Sequence, residues 1–264
     1  MNEHRNLTLN TPDCSISNHW CYTLSEQTCL GQLISIVHNN QNNATPVLKP
    51  LSQWAISAHN VNGFNDETKR KNLLTYIEVI EADIAIIIDT RLSEKNEIRL
   101  KNQITNYTLH SARPDTPARG VSVLIRKSLP FIVLNIEKDD ETANYLFIEG
   151  EIYNRRINLL GVYGPNRDNP VFYRNMFDKL AANGAEFHLM LGDLNVTLNP
   201  ELDNQNYQDE NQNPEARAKI LELMEHRNYH DPMRETSGNK KLWTWSSNQG
   251  PQKARLDNAI CNHA

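Results

Sequence analysis

The chain has 264 residues, 39% of them hydrophobic, and a formal net charge of −5. That is enough apolar material for one large domain or two smaller ones. The acidic balance excludes a protein that coats nucleic acid by bulk positive charge. It does not exclude a nuclease, whose metal-binding carboxylates lower the net charge while local arginines hold the substrate.

The start, Met1-Asn2-Glu3-His4-Arg5-Asn6, lacks the apolar core of a signal peptide. The run Cys29 to Val37 is far too short to span a bilayer. A soluble, intracellular protein without membrane attachment is expected. Residues 1–50 are rich in Asn, Ser and Thr, culminate in Asn39-Asn40-Gln41-Asn42-Asn43 and show little sustained periodicity. They are expected to form a loosely ordered leader ahead of a globular domain over 51–264. Cys14, Cys21 and Cys29, with His19 and His38, match no metal-ligand spacing, so these thiols and Cys261 are expected to be free.

From Gln53 to His59 the pattern predicts a strand, and from Thr68 to Ile80 a helix with Leu73, Leu74, Ile77 and Ile80 on one side. Ile84-Ala85-Ile86-Ile87-Ile88 is continuously apolar, as in a strand covered on both faces. Val121 to Ile125 begins with period-two alternation. Tyr145 to Tyr153 and Ile157 to Tyr163 flank Asn154-Arg155-Arg156, which predicts a hairpin. Phe172 to Ala182 and Glu215 to His226 read as helices, Phe187 to Leu191 as a buried strand, and Asn199 to Pro214 as a loop between them. Trp243-Thr244-Trp245 and Arg255 to Cys261 are the last candidate strands. Hairpin strands with helices outside them imply a two-sheet α/β sandwich.

Polar clusters recur at the ends of these strands. Asn60-Val61-Asn62-Gly63 ends the first, Asp89-Thr90-Arg91 the apolar run, and Tyr163-Gly164-Pro165-Asn166-Arg167 the Ile157 strand. Gly192-Asp193-Leu194-Asn195 ends the Phe187 strand, and Thr244 and Arg255-Leu256-Asp257-Asn258 belong to the last two. Each alone has a plain reading as a turn or a cap. Their joint occurrence at strand ends, where ligands sit in layered α/β proteins, points to a site. Asp193 offers a carboxylate that takes a proton or holds a cation, and Asn195 a neutral donor and acceptor beside it.

In this order the motifs resemble those of the endonuclease/exonuclease/phosphatase superfamily, and within it the apurinic-endonuclease-like domains of non-LTR (LINE-type) retrotransposons. The resemblance covers the chain from about Leu51 onward. It implies a DNase I-like sandwich and metal-assisted phosphodiester hydrolysis on double-stranded DNA, in the nucleus, within a larger polyprotein that carries a reverse transcriptase. It further implies that Asp89, with Asn62, holds Mg²⁺ (or Mn²⁺), and that Asp193 orients and deprotonates the attacking water while Asn195 holds that water and the phosphate. Asn60, Tyr163 and Asn166 are implied as hydrogen-bond partners of the phosphate, and Asp257 as the carboxylate that orients a histidine. Arg113, Arg119, Arg167, Thr244 and Arg255 are the expected DNA contacts.

Two departures from the pattern are visible. The family has Glu where this chain has Asp89, one methylene shorter. Its closing Ser-Asp-His motif has no match after Asp257, and His263 lies too near that residue to be its equivalent, so a sandwich lacking its final strand and a weakly active fragment are expected. The alternatives are a phosphatase acting on small phosphoesters and a non-catalytic DNA-binding scaffold of the same fold.

Overall fold

A computed structural model describes residues 19–25, 35–37, 53–115, 118–207, 213–247 and 250–262. Two six-stranded sheets form its centre. The first contains β1 (His19–Ser25), β2 (Ser35–Val37), β3 (Gln53–Asn60), β4 (Ile84–Ile88), β5 (Tyr107–Ala112) and β6 (Val121–Arg126), in the order β2-β1-β3-β4-β6-β5. The second contains β7 (Phe131–Lys138), β8 (Tyr145–Ile152), β9 (Arg155–Tyr163), β10 (Phe187–Asp193), β12 (Tyr229–His230) and β15 (Asp257–Asn262), in the order β12-β15-β10-β9-β8-β7. Between β10 and β12 in the chain runs β11 (Asn204–Gln205), which joins β13 (Trp245–Ser246) and β14 (Lys253–Ala254) in a small separate sheet.

The inner faces of the two sheets share one core. Ile84, Ile86 and Ile88 of β4 and Val121 and Val123 of β6 pack with Leu146, Ile148, Leu159, Leu189 and Leu191 of the second sheet. The outer face of the first sheet is covered by α1 (Glu67–Val79) and α2 (Glu94–Gln103), which contribute Leu73, Ile77 and Leu100 against Ala85, Ile87 and Leu124. The outer face of the second is covered by α3 (Pro170–Leu180) and α5 (Pro214–His226), with Tyr173, Phe177, Ile220 and Leu223 against Leu160, Val162 and Met190. The short helices α4 (Pro200–Asp203) and α6 (Pro232–Ser237) lie in the connections. The helices start where the sequence provides caps: Asp66 accepts from Lys69 N, Ser93 from Asn96 N, and Asn169 from Phe172 N ahead of Pro170. The result is the expected two-sheet α/β sandwich.

Each of the two large sheets contains one parallel pair, and this fixes where a site can form. β3 runs parallel to β4 with Asn60 beside Ile88, and β9 parallel to β10 with Tyr163 beside Asp193. Parallel neighbours end at the same edge, so the polar residues that follow them gather together. β15 runs antiparallel to β10, which sets its first residue, Asp257, opposite Asp193.

The first sheet includes strands from both sides of residue 50. β1 pairs with β3 along seven residues, from His19 opposite His59 to Ser25 opposite Gln53. Its Trp20, Tyr22, Thr23 and Leu24 are strand-favouring types in a segment whose polar surroundings hide the signal, and pairing covers an edge of β3 that would otherwise be open. Apart from β2, the rest of the expected leader, including Cys14, Cys29 and the Asn39–Asn43 run, lies outside the described residues. Cys261 is buried, forms no disulfide among the described residues, and has its Sγ 3.2 Å from His230 Nε2. No helix among the described residues is long and apolar enough to cross a membrane.

Candidate active site

Asp193 is the last residue of β10 and is buried, with 5% of its surface exposed. Its Oδ2 accepts from Asn60 Nδ2 at 2.8 Å and its Oδ1 from the Asn195 backbone N–H at 2.8 Å. Burial pushes its carboxyl up to about 6, against the pull of the Asn195 and Asn60 bonds, and the nearby Asp89 charge adds to the rise. The backbone allows this placement because of Gly192. At φ +149° a Cβ there would overlap the Val162 carbonyl of β9, so only glycine lets the two strands close up at their ends.

The neighbours of Asp193 are held in turn. Asn60 Oδ1 accepts from Asn62 N at 3.1 Å, so the Asn60 amide bridges its own turn and the second sheet. Asn195, in the left-handed region at φ 51°, donates from Nδ2 to Gly164 O at 2.8 Å. Tyr163 is half-buried, and burial pushes its phenol up to about 12. Asp89 and Asp193 raise it further while Arg91 and Arg119 oppose them, which gathers all five residues in one electrostatic neighbourhood. Asp257 is buried and its carboxyl is held well above the ordinary range by burial and then by the Asp193 charge. Its hydrogen bond with Thr244 works the other way.

Asp89 follows β4 and is also buried. Both of its carboxylate oxygens are taken by one guanidinium: Arg91 Nε donates to Oδ1 at 2.9 Å and Nη2 to Oδ2 at 2.7 Å. Among the described residues no three His, Cys, Asp or Glu side chains converge into a metal cage. The donors at these strand ends are carboxylate and amide oxygens, the hard ligands that suit Mg²⁺, which is commonly held by one or two carboxylates with water completing its shell.

The fold has solved counterparts. The chain matches the AP endonuclease LMAP from Leishmania major with a TM-score of 0.63 and 16% identity, over 78% of this chain and 78% of that one. It matches the Xenopus laevis APE2 catalytic domain with a TM-score of 0.63 and 16% identity, over 78% and 82%. An AP endonuclease from Archaeoglobus fulgidus gives a TM-score of 0.58 at 16% identity, over 78% and 86%. The chain has the DNase I-like fold of these AP endonucleases. No protein-family model matches the sequence.

The structure brings together Asn60, Asp89, Tyr163, Asp193, Asn195 and Asp257, and the other expected site residues differ from them in exposure and partners. Asn62 stands exposed at φ 42°, on the loop whose Gly63 N–H donates to Asp89 O at 2.7 Å. Asn166 and Arg167 are exposed just beyond β9. Arg119 borders the site and donates to Asn144 Oδ1 at 2.6 Å. Arg113 is paired with Glu97 at 3.2 Å, a glutamate that also holds Lys101.

Arg255 and Thr244, expected as DNA contacts, are both buried. Arg255 is 1% exposed and ion-paired with Asp203 at 3.0 Å and with Asp231, so its charge is spent inside the protein. Thr244 is equally buried, and its Oγ1 accepts from the backbone N–H groups of Leu256 and Asp257 at 2.9 and 3.0 Å. Both residues fix the approach to β15 and so the position of Asp257. Of the described histidines, His59 lies edge-on to Tyr76, His188 is bonded to Tyr229, and His230 lies against Cys261. His263 lies outside the described residues. Arg91 was visible in the sequence as part of Asp89-Thr90-Arg91, but the motif gave no sign that it would grip the carboxylate two residues before it.

Proposed function

We propose that this chain is a divalent-metal-dependent DNA endonuclease of the kind that nicks a target strand for retrotransposon insertion, working beside a reverse transcriptase in a larger polyprotein. The observation that carries the reading is the convergence of Asp193, Asp89 and Asp257 at the joined ends of two parallel strand pairs. The fold shared with AP endonucleases supports phosphodiester cleavage, and the ordered motifs support the retrotransposon setting.

In this reading Asp193 is the general base. A carboxyl at about 6 is ionised at neutral pH, yet is a stronger base than an ordinary aspartate. Asn60 and Asn195 hold both of its oxygens, so the proton-accepting lone pairs point in a fixed direction. Asn195 and Tyr163 offer neutral hydrogen bonds to a phosphate oxygen; the Tyr163 phenol stays protonated and therefore remains a donor. Asp89 and Asn62 are the residues to hold Mg²⁺ or Mn²⁺, and the ion supplies charge neutralisation of the phosphate as negative charge builds up on it. Arg167 and Arg119, exposed or half-exposed at the same edge, supply phosphate contacts along the DNA.

The experiment is conversion of supercoiled plasmid to open circles by the purified chain, with Mg²⁺, with Mn²⁺ and with chelator. Nicking that needs the metal and stops with chelator is expected. Absence of nicking, together with hydrolysis of a small phosphomonoester, would favour the phosphatase reading. DNA binding without either reaction would favour the scaffold.

A further inference from the structure

Three consecutive residues after β4 are clamped by their backbone while one of their side chains is left movable. Asp89 O accepts from Gly63 N at 2.7 Å, Thr90 N donates to Gly120 O at 3.2 Å, and Thr90 O accepts from Phe64 N at 2.7 Å. Arg91 N donates to Arg119 O at 2.6 Å, and its carbonyl accepts from Asn65 Nδ2 at 2.7 Å. Asp89 and Arg91 both adopt left-handed backbone, φ 55° and 47°, a conformation that L-residues keep only where the surroundings impose it. This geometry brings the Arg91 guanidinium back onto the Asp89 carboxylate as a two-pronged pair. The two partners differ in freedom: the Asp89 side chain is 5% exposed, the Arg91 side chain 44%.

We propose that Arg91 is the resident counter-ion of the cation site, holding Asp89 in the absence of metal and yielding it when a divalent ion binds. The inference rests on the reading of Asp89 as the metal-holding carboxylate. A buried carboxylate close to the Asp193 charge requires a positive partner, and the fork of Arg91 provides one. A divalent ion on the same oxygens would face that guanidinium at contact distance, so the two cations compete for one carboxylate. Because the backbone on both sides is tied down, the exchange needs only rotation of a half-exposed side chain into water. Arg91 therefore weakens the site for metal while keeping it shaped, and a metal that binds must first break the pair.

The test is Mn²⁺ binding to the full chain, measured by calorimetry and by the loss of the free-ion electron paramagnetic resonance signal, so that no turnover is needed. Arg91→Gln keeps the stem and removes the charge, and it should tighten Mn²⁺ binding by about tenfold, within the range usual for coupled sites. Arg91→Lys retains a point charge without the fork and should fall between Gln and the parent; it carries the test if the glutamine variant fails to unfold cooperatively. Asp89→Ala should abolish binding in every background. Variants at position 91 that bind Mn²⁺ no more tightly than the parent, with Asp89→Ala still silent, would overturn the proposal and leave the metal site standing. Unchanged binding by Asp89→Ala would overturn both.

Discussion

Asn60→Ala tests how Asp193 is tuned. In the parent, burial drives the Asp193 carboxyl up to about 6, and the Asn60 amide, 2.8 Å from Oδ2, is one of two hydrogen bonds that restrain it. A hydrogen bond to a charged group contributes about 1.5–3 kcal/mol, which is roughly one to two pKa units. Removing the amide should carry Asp193 from about 6 to between about 7 and 8. Water entering the small gap would re-solvate the carboxylate and favour the lower end. At pH 7 the ionised fraction then falls from about nine-tenths to between one-half and one-tenth, so the rate drops roughly two- to tenfold. The loss should vanish near pH 9.

The assay is the pH profile of kcat/KM for nicking, whose acid limb reports the base of the free enzyme. Stability gives an activity-free check. A carboxyl whose folded pKa lies above its unfolded value stabilises the fold only while protonated, and that contribution is lost as pH rises through the folded pKa. The parent loses it between about pH 4 and 6. In the variant the loss continues to about pH 7–8, so the stability gap between the two proteins should widen over pH 6–8. An acid limb that stays in place, with a rate loss equal at every pH, would refute the reasoning and assign Asn60 to phosphate binding alone.

Other consequences are equally direct. Arg255→Ala strips the buried Asp231 of its cation and leaves Asp203 with Arg234 alone, which costs about 3–5 kcal/mol and should lower Tm by roughly 6–20 °C, without changing the salt dependence of DNA binding. Arg167→Gln and Arg119→Gln should each reduce the slope of log affinity against log salt by about one, whereas Arg113→Gln should leave it unaltered because its guanidinium is held by Glu97; equal slopes for all three would return them to ordinary surface. Gly192→Ala places a methyl against the Val162 carbonyl at a backbone angle that L-residues avoid, and should cost about 3 kcal/mol or more in chemical denaturation.

Much of the frame was legible because the decisive signals are local. The unbroken Ile84–Ile88 run predicts a strand covered on both faces, and its side chains do divide between the inter-sheet core and the α1 layer. The strand-end clusters were legible for the same reason, since a polar group directly after a buried strand has few places to go. What escaped was either weakly patterned or set from far away. In α2 only Leu100 is buried, so no apolar stripe marks the helix. β7 lies at a sheet edge with Ile132, Val133 and Leu134 exposed, which removes the alternation a half-buried strand would show. Arg255 was read as a DNA contact from its motif, but its partner Asp203 lies 52 residues away and Asp231 lies 24 away. No spacing rule reveals that pairing. β1 and β2 sit in a segment whose Asn-rich composition carries no strand periodicity, so nothing local announces them.

The central claim is that Asp193 is the base of a metal-dependent phosphodiesterase. The most direct measurement compares plasmid nicking by the parent and by Asp193→Asn at saturating Mg²⁺, with thermal unfolding confirming that both are folded. The amide keeps the shape of the carboxylate and removes its capacity to take a proton. A fall of about a hundredfold or more is expected. Nicking by the asparagine variant at the parent rate would contradict it.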